Sequence, residues 1–200
     1  MRFFAVGVLL FIFPVTRGLF LSITPGVLLA TLLIMLWYHR SWNFKTVLVF
    51  IMIYILSFTL EMAGTSDPRF FGSYQYLSTL GIKVFHTPLL IGVNWLMLVY
   101  GSNSLVSFKI ENKLLRIFLA SSLMVLYDVI AEFTAPAMKL WEFDQPYPPL
   151  QNFIMWFIAS ASFHSLFELF GIQTRNKHAA ILFIAQMIFF SFITLIVLIP

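Results

Sequence analysis

Residues 114–135, LLRIFLASSLMVLYDVIAEFTA, decide the fold. Apart from Arg116 near the start and two acids near the end, the run is apolar or small. About 20 such residues are needed to cross a bilayer, so the stretch reads as a transmembrane helix. Its acids, Asp128 and Glu132, are what membrane helices avoid. A carboxylate near mid-membrane costs roughly 2.5–3.5 kcal/mol on insertion scales, so such residues are rare without a reason. Glu61 stands in the same kind of position, near the end of another apolar run.

Working outward, six more apolar segments lie at roughly 3–22, 24–39, 45–63, 83–101, 151–171 and 179–199. The expected fold is all-α, a polytopic transmembrane bundle of about seven helices in one integral membrane domain, 1–200. The number drops to six spans if Pro14, Arg17 and the Thr24-Pro25-Gly26 turn make the first two segments a broken hairpin. Short connections predict antiparallel neighbours. Composition agrees: 60% of residues are hydrophobic and 10% charged, against about 25% charged in soluble domains. The net charge of +4 is spread through short loops, so it does not indicate nucleic-acid binding. With no cysteine there is no disulfide, thiolate metal site or cysteine nucleophile. The start, Met1-Arg2 followed by apolar residues 3–13, resembles a signal peptide, but no small-residue cleavage site follows. It is read as a retained first helix.

Seven spans would put Arg2, Arg40, Lys45, Lys109, Lys113, Arg116, Arg175 and Lys177 on one side, and Arg17, Arg69, Lys83 and Lys139 on the other. The positive-inside rule then predicts a cytoplasmic N-terminus in a multi-pass protein of the cell membrane. Most acids lean to the opposite, outer side: Glu61, Asp67, Asp128, Glu132, Glu142 and Asp144.

The ends of four segments carry polar side chains toward that outer side. Asp128 and Glu132, four residues apart, share one helix face. Lys83 and His86 open the fourth helix, with Asn94 and Trp95 two to three turns deeper, and Gln151, Asn152 and Trp156 open the sixth. In a compact bundle these ends converge on one pocket. Two carboxyls held close in a dry site cannot both ionise cheaply, and the one that keeps its proton is a competent general acid. The rings of Tyr74, Tyr76, Trp95, Trp141 and Trp156 could stabilise a developing cation. The 24 phenylalanines are either lipid-facing filler or the lining of a path for a long apolar ligand.

Each feature also has a plain structural reading. Asp128 and Glu132 could pair with Lys83 or Arg69 at the membrane edge, and Glu61 could snorkel to water. Asn94 could stitch helices together, and His164 with Glu168 is read as a structural pair on the inner half. No histidine spacing suits a metal, and neither a phosphate-binding glycine loop nor a dinucleotide fingerprint is present. No metal or cofactor is expected.

The ordered motifs Glu61-Met62-Ala63-Gly64-Thr65, Phe71-Gly72-Ser73-Tyr74-Gln75-Tyr76, Leu80-Gly81-Ile82-Lys83 and Pro88-Leu89-Leu90-Ile91-Gly92-Val93-Asn94-Trp95 resemble the central signature of the carotenoid hydratases of bacteria and haloarchaea. The resemblance continues at Asp128-Val129-Ile130-Ala131-Glu132 and ends near Pro149-Leu150-Gln151-Asn152-Phe153 and Trp156, spanning about residues 57–157. The sequence departs from that family where Phe133 replaces the proline that often follows the second acid, and in its short length.

The resemblance implies hydration of the terminal double bond of an acyclic carotenoid such as lycopene, giving a tertiary alcohol without a redox cofactor. Asp128 or Glu132 would be the general acid, and Glu61 would position or activate water. Asn94 and Asn152 would orient water or a carboxyl, and Lys83 would tune a carboxylate. Tyr74, Tyr76, Trp95 and Trp156 complete the substrate- and water-positioning set. The implied partners are a membrane-dissolved carotenoid and the bilayer, with room for association with other enzymes of that pathway and none for nucleic acid. Two other functions use the same buried acids. A carotenoid end-group cyclase would return an isomer. A non-enzymatic proton-coupled transporter would relay protons, although no inverted repeat supports it.

Overall fold

The computed structural model describes residues 2–199, with side chains described from residue 4 onward. Among the described residues there are seven helices: α1 (Arg2–Ile12), α2 (Pro14–Trp37), α3 (Phe44–Ser66), α4 (Leu90–Ser107), α5 (Lys113–Glu132), α6 (Leu150–Phe170) and α7 (Lys177–Leu198). Helices α2 to α7 are long and apolar enough to cross a membrane, which makes this a multi-pass membrane protein.

The first two segments divide differently from the sequence expectation. The break falls at Phe13-Pro14, and α2 runs unbroken through Pro25. Proline at the first helical position loses no hydrogen bond, because that N–H would be unpaired in any case. The carbonyls freed at the end of α1 are taken by α2: Thr16 Oγ1 donates to Leu10 at 2.9 Å and Arg17 Nε to Phe11 at 3.1 Å. At 11 residues α1 is too short to span. It folds back along α2 and α7, with Phe11 against Phe20 and Phe4 against Phe189.

Six spans revise the charge count. Arg2, on the helix that does not cross, drops out, leaving seven basic residues at the α2–α3, α4–α5 and α6–α7 connections against four on the other side. On the seven-residue side, Asn43, Asn112 and Asn176 each accept a backbone N–H as N-caps of α3, α5 and α7.

Helix α4 is the axis. It packs against α2, α3, α5 and α7, and all of its residues except Leu90 and Leu105 are buried. Its glycines permit that closeness. A Cβ on Gly92 would stand 2.8–2.9 Å from the Tyr54 ring and carbonyl oxygen, the small-residue contact by which membrane helices approach each other.

On the side where α3 and α5 end, the connections are not plain loops. Strand β1 (Tyr74–Tyr76) pairs antiparallel with β4 (Trp141–Phe143), in the register Tyr74–Phe143, Gln75–Glu142 and Tyr76–Trp141. Between them in sequence, β2 (Lys83–Val84) and β3 (Thr87–Pro88) form a small hairpin, so the fourth helix begins at Leu90 and not at residue 83 as expected, and Lys83 and His86 lie on the hairpin that leads into it. Successive strand residues face opposite ways. Gln75 and Glu142 therefore meet on the exposed face, Nε2 to Oε1 at 2.8 Å. Tyr74, Tyr76, Trp141 and Phe143 turn the other way, onto the helix ends.

Candidate active site

The β1–β4 ribbon sits over the C-terminal ends of α3 and α5 and the first turns of α4 and α6. Glu61, Asp128, Glu132, Tyr74, Tyr76, Asn152 and Trp156 line a single cavity there, closed by Phe71, Ile91, Trp141 and Phe143. Of the side chains expected to converge, Glu61, Asp128, Glu132, Asn152 and Trp156 line it, and Lys83, His86, Asn94 and Gln151 do not.

Glu61 is 3% exposed and does not snorkel to water. Its Oε2 accepts from the Tyr74 hydroxyl at 2.6 Å and the Tyr76 hydroxyl at 2.7 Å, and its Oε1 from Trp95 Nε1 at 2.7 Å. Alternation along Tyr-Gln-Tyr delivers both hydroxyls to one oxygen. Gly64, one turn past Glu61, makes room: a Cβ there would lie 3.0 Å from the Tyr74 hydroxyl and run into the Phe71 ring. Burial first, and then the Glu61 carboxyl, hold both tyrosines well above the usual phenol range, so both remain donors. Trp95 also stacks on Trp156, with ring centres 4.2 Å apart.

Asp128 is fully buried. Its Oδ2 accepts from Asn152 Nδ2 at 2.7 Å, a bond across the α5–α6 contact. Its Oδ1 has no donor among the described residues. Glu132, one turn further along α5 on the same face, lines the same cavity as Asp128. Two carboxyls can bond to each other only through a shared proton, which would supply the missing donor. Trp141 Nε1 donates to Glu132 Oε2 at 3.1 Å.

Among the described residues no lysine or arginine pairs with these three acids. Arg69 is held by Asp67, Arg116 by Glu168 and Arg175 by Glu111. Lys83 Nζ donates to the Tyr76 carbonyl at 2.6 Å, so it steadies the strand that carries Tyr76 rather than touching a carboxyl. The edge ion pair considered for Asp128 and Glu132 is absent. Asn94 lies behind Trp141, in a neighbouring space lined with Tyr127 and Met138. His164 and Glu168 do not bond to each other. His164 joins Ser102 and Ser121, and Glu168 receives a two-pronged bond from Arg116.

Sequence reasoning placed Trp141 near the site as a ring and missed its donor role, along with Phe71 and Phe143. The alternation Trp-Glu-Phe at 141–143, matching Tyr-Gln-Tyr at 74–76, was the available signal. The cavity among these groups is ≈ 20 Å³, room for about one water molecule. Glu61 and Asp128, buried, and Glu132, half-buried, meet four hydroxyl or indole donors and an amide, with no basic side chain paired to them among the described residues, and the cluster can hold a proton and one water. Among curated proteins and among solved structures, none is significantly similar to the chain. Residues 24–200 match the family model described as carotenoid biosynthesis protein, and the chain belongs to that family.

Proposed function

We propose that the protein is a carotenoid hydratase, adding water to the terminal double bond of an acyclic carotenoid end group. The observation that carries this reading is the pairing of unneutralised buried acids with space for one water beneath a ring of aromatic side chains. Membership of a carotenoid biosynthesis family supports the substrate class.

The reaction begins with the proton held between Asp128 and Glu132. It passes to the CH carbon of the terminal trisubstituted alkene, and the π electrons leave a tertiary cation on the dimethyl carbon. The faces of Tyr74, Tyr76, Trp141 and Trp156 surround that charge. Glu61, accepting from three donors, is the fixed carboxylate of the site and adds electrostatic stabilisation without reorganising. The water attacks the cation and yields its spare proton to the Asp128–Glu132 pair, which regains the proton it gave. The sum is alkene plus water to tertiary alcohol. Asn152 holds Asp128 in place, and Trp95 and Lys83 act through Glu61 and Tyr76. We read the site as lying toward the outer leaflet, on the support of the positive-inside rule and the excess of basic residues on the far side.

Expression in a host that accumulates lycopene tests the reading, with Asp128→Asn as control. A pigment heavier by one water, with an unchanged chromophore and absent in the control, is expected. An isomer of equal mass would replace the hydratase by a cyclase, and unaltered lycopene with well-folded protein would remove lycopene as the substrate.

A further inference from the structure

The acid cavity is too small for an isoprenoid end group, yet it does not stand alone. Trp141 forms a wall of both that cavity and the neighbouring space of ≈ 30 Å³ that holds Asn94 and Tyr127. Thr24, Leu28, Met138 and Phe190 line this space together with a third, of ≈ 100 Å³, beneath α1. Phe4 and Phe189 then separate the third from an open apolar groove of ≈ 580 Å³ between α1 and α7. The groove faces outward, where Leu9 is 56% and Phe192 54% exposed. Four spaces thus run in series, each sharing a wall with the next, from the flank of the bundle to the acids.

Close-packed interiors keep few voids larger than a water, and an apolar void forfeits packing. The third space is apolar over nearly all its wall, and the hydroxyls of Thr24 and Thr31 are spent on carbonyls of their own helix. Gln186 also lines it, its Oε1 without a donor among the described residues, so an occupant drawn from the bilayer is narrow and apolar over most of its length. Helix α1 forms the outer wall without spanning, so the passage opens sideways into lipid.

We propose that these spaces form a lateral channel for the chain of a linear polyisoprenoid, running from the α1–α7 groove to the acid site, with the Trp141 indole as its inner gate. Swinging Trp141 merges the acid cavity with the space behind it and breaks the bond to Glu132. Arrival of the end group is thereby linked to release of one of the acids. The inference rests on the proposed polyene substrate, but the two can fail separately.

Leu28→Trp places bulk at the junction of the second and third spaces. Leu33→Trp, on the same helix and 64% exposed, is the matched control. Each variant and the wild type are expressed with lycopene, purified in mild detergent, checked for monodispersity and melting, and assayed for bound lycopene, bound phospholipid and hydrated product. Leu28→Trp should lose bound lycopene and product by about tenfold or more, while Leu33→Trp matches wild type. If Leu28→Trp does not fold, Thr31→Leu fills the same wall with less bulk. Wild type that retains lycopene in a Leu28-dependent way without hydrating it supports the channel and removes the hydratase reading. Unchanged binding and turnover in the filled variants overturns the channel and leaves the hydratase intact. Loss of phospholipid alone, with lycopene retained, also overturns it.

Discussion

Trp95 on α4 and Glu61 on α3 are 34 residues apart in sequence, and the indole nitrogen lies 2.7 Å from Oε1 of the carboxyl. Both groups are buried, so the bond fixes one acid of the site against the central helix of the bundle. Trp95→Phe would keep a ring against Trp156, delete the donor and leave a small void where the larger indole was. A hydrogen bond to a charged group contributes about 1.5–3 kcal/mol. Hydration should slow by roughly tenfold to a hundredfold, and the melting temperature should fall as the buried carboxyl loses its donor. Rates and melts of the purified variant check both halves.

Glu61→Gln should fold. The two tyrosine hydroxyls that donate to Oε2 can turn and accept from the new amide nitrogen, while the amide oxygen still receives Trp95. What disappears is the charge facing the cation, so turnover should fall by about a hundredfold or more, with protein recovered from the membrane in normal amount. Full activity in a Glu61→Gln, Asp128→Asn double variant would sink the assignment.

Asn152→Ala leaves Asp128 Oδ2 buried without its donor. Such a group costs about 1–3 kcal/mol. The variant should melt earlier and hydrate more slowly, and Asn152→Gln should not rescue it, because the longer side chain moves the amide off the 2.7 Å contact.

Tyr74 and Tyr76 should remain protonated where exposed phenols ionise, at about pH 10, because burial and then the Glu61 carboxyl push both upward. The donors to Glu61 therefore persist as pH rises through that range. Ultraviolet difference spectra of wild type and the Tyr74→Phe, Tyr76→Phe double variant should show equal tyrosinate at about pH 10–11. A smaller signal in the double variant would mean that these hydroxyls are open to water.

Gly92→Ala tests packing away from the chemistry. The added methyl meets Tyr54 at 2.8–2.9 Å, including its backbone oxygen, which cannot yield as a side-chain tip would. Overpacking of this kind costs about 1–3 kcal/mol, so the melting temperature should drop, and thermal unfolding in detergent measures it.

Much of this protein was legible without coordinates. The lengths of apolar runs set α3, α5, α6 and α7, because transfer into lipid is a sum of local contributions along the chain, whereas the run at 83–101 hid a hairpin before α4. The four-residue spacing of Asp128 and Glu132 put them on one face, and the alternation of spans put Glu61, Trp95, Asn152 and Trp156 at the same level. The division at Pro14 rather than Pro25 was not legible, since hydropathy is indifferent to which proline interrupts a ladder of hydrogen bonds. Thr16 and Arg17 decide it by satisfying the carbonyls at the end of α1.

The rest belonged to contacts between distant parts of the chain. Two three-residue strands, at 74–76 and 141–143, are too short to announce themselves, and their pairing exists only once the helices have brought the connections together. That ribbon turns four aromatic residues onto the acids, gives Glu132 its indole and sets Lys83 on a carbonyl instead of a carboxyl. It also leaves Asn94 behind Trp141. Burial of carboxyls in a membrane bundle follows from residue type and spacing alone. Which groups hold them, and the row of spaces that leads to them, were decided by tertiary structure, because the hydrogen bonds to Glu61, Asp128 and Glu132 join side chains on different elements, and the ribbon that supplies several of them pairs strands from two distant connections.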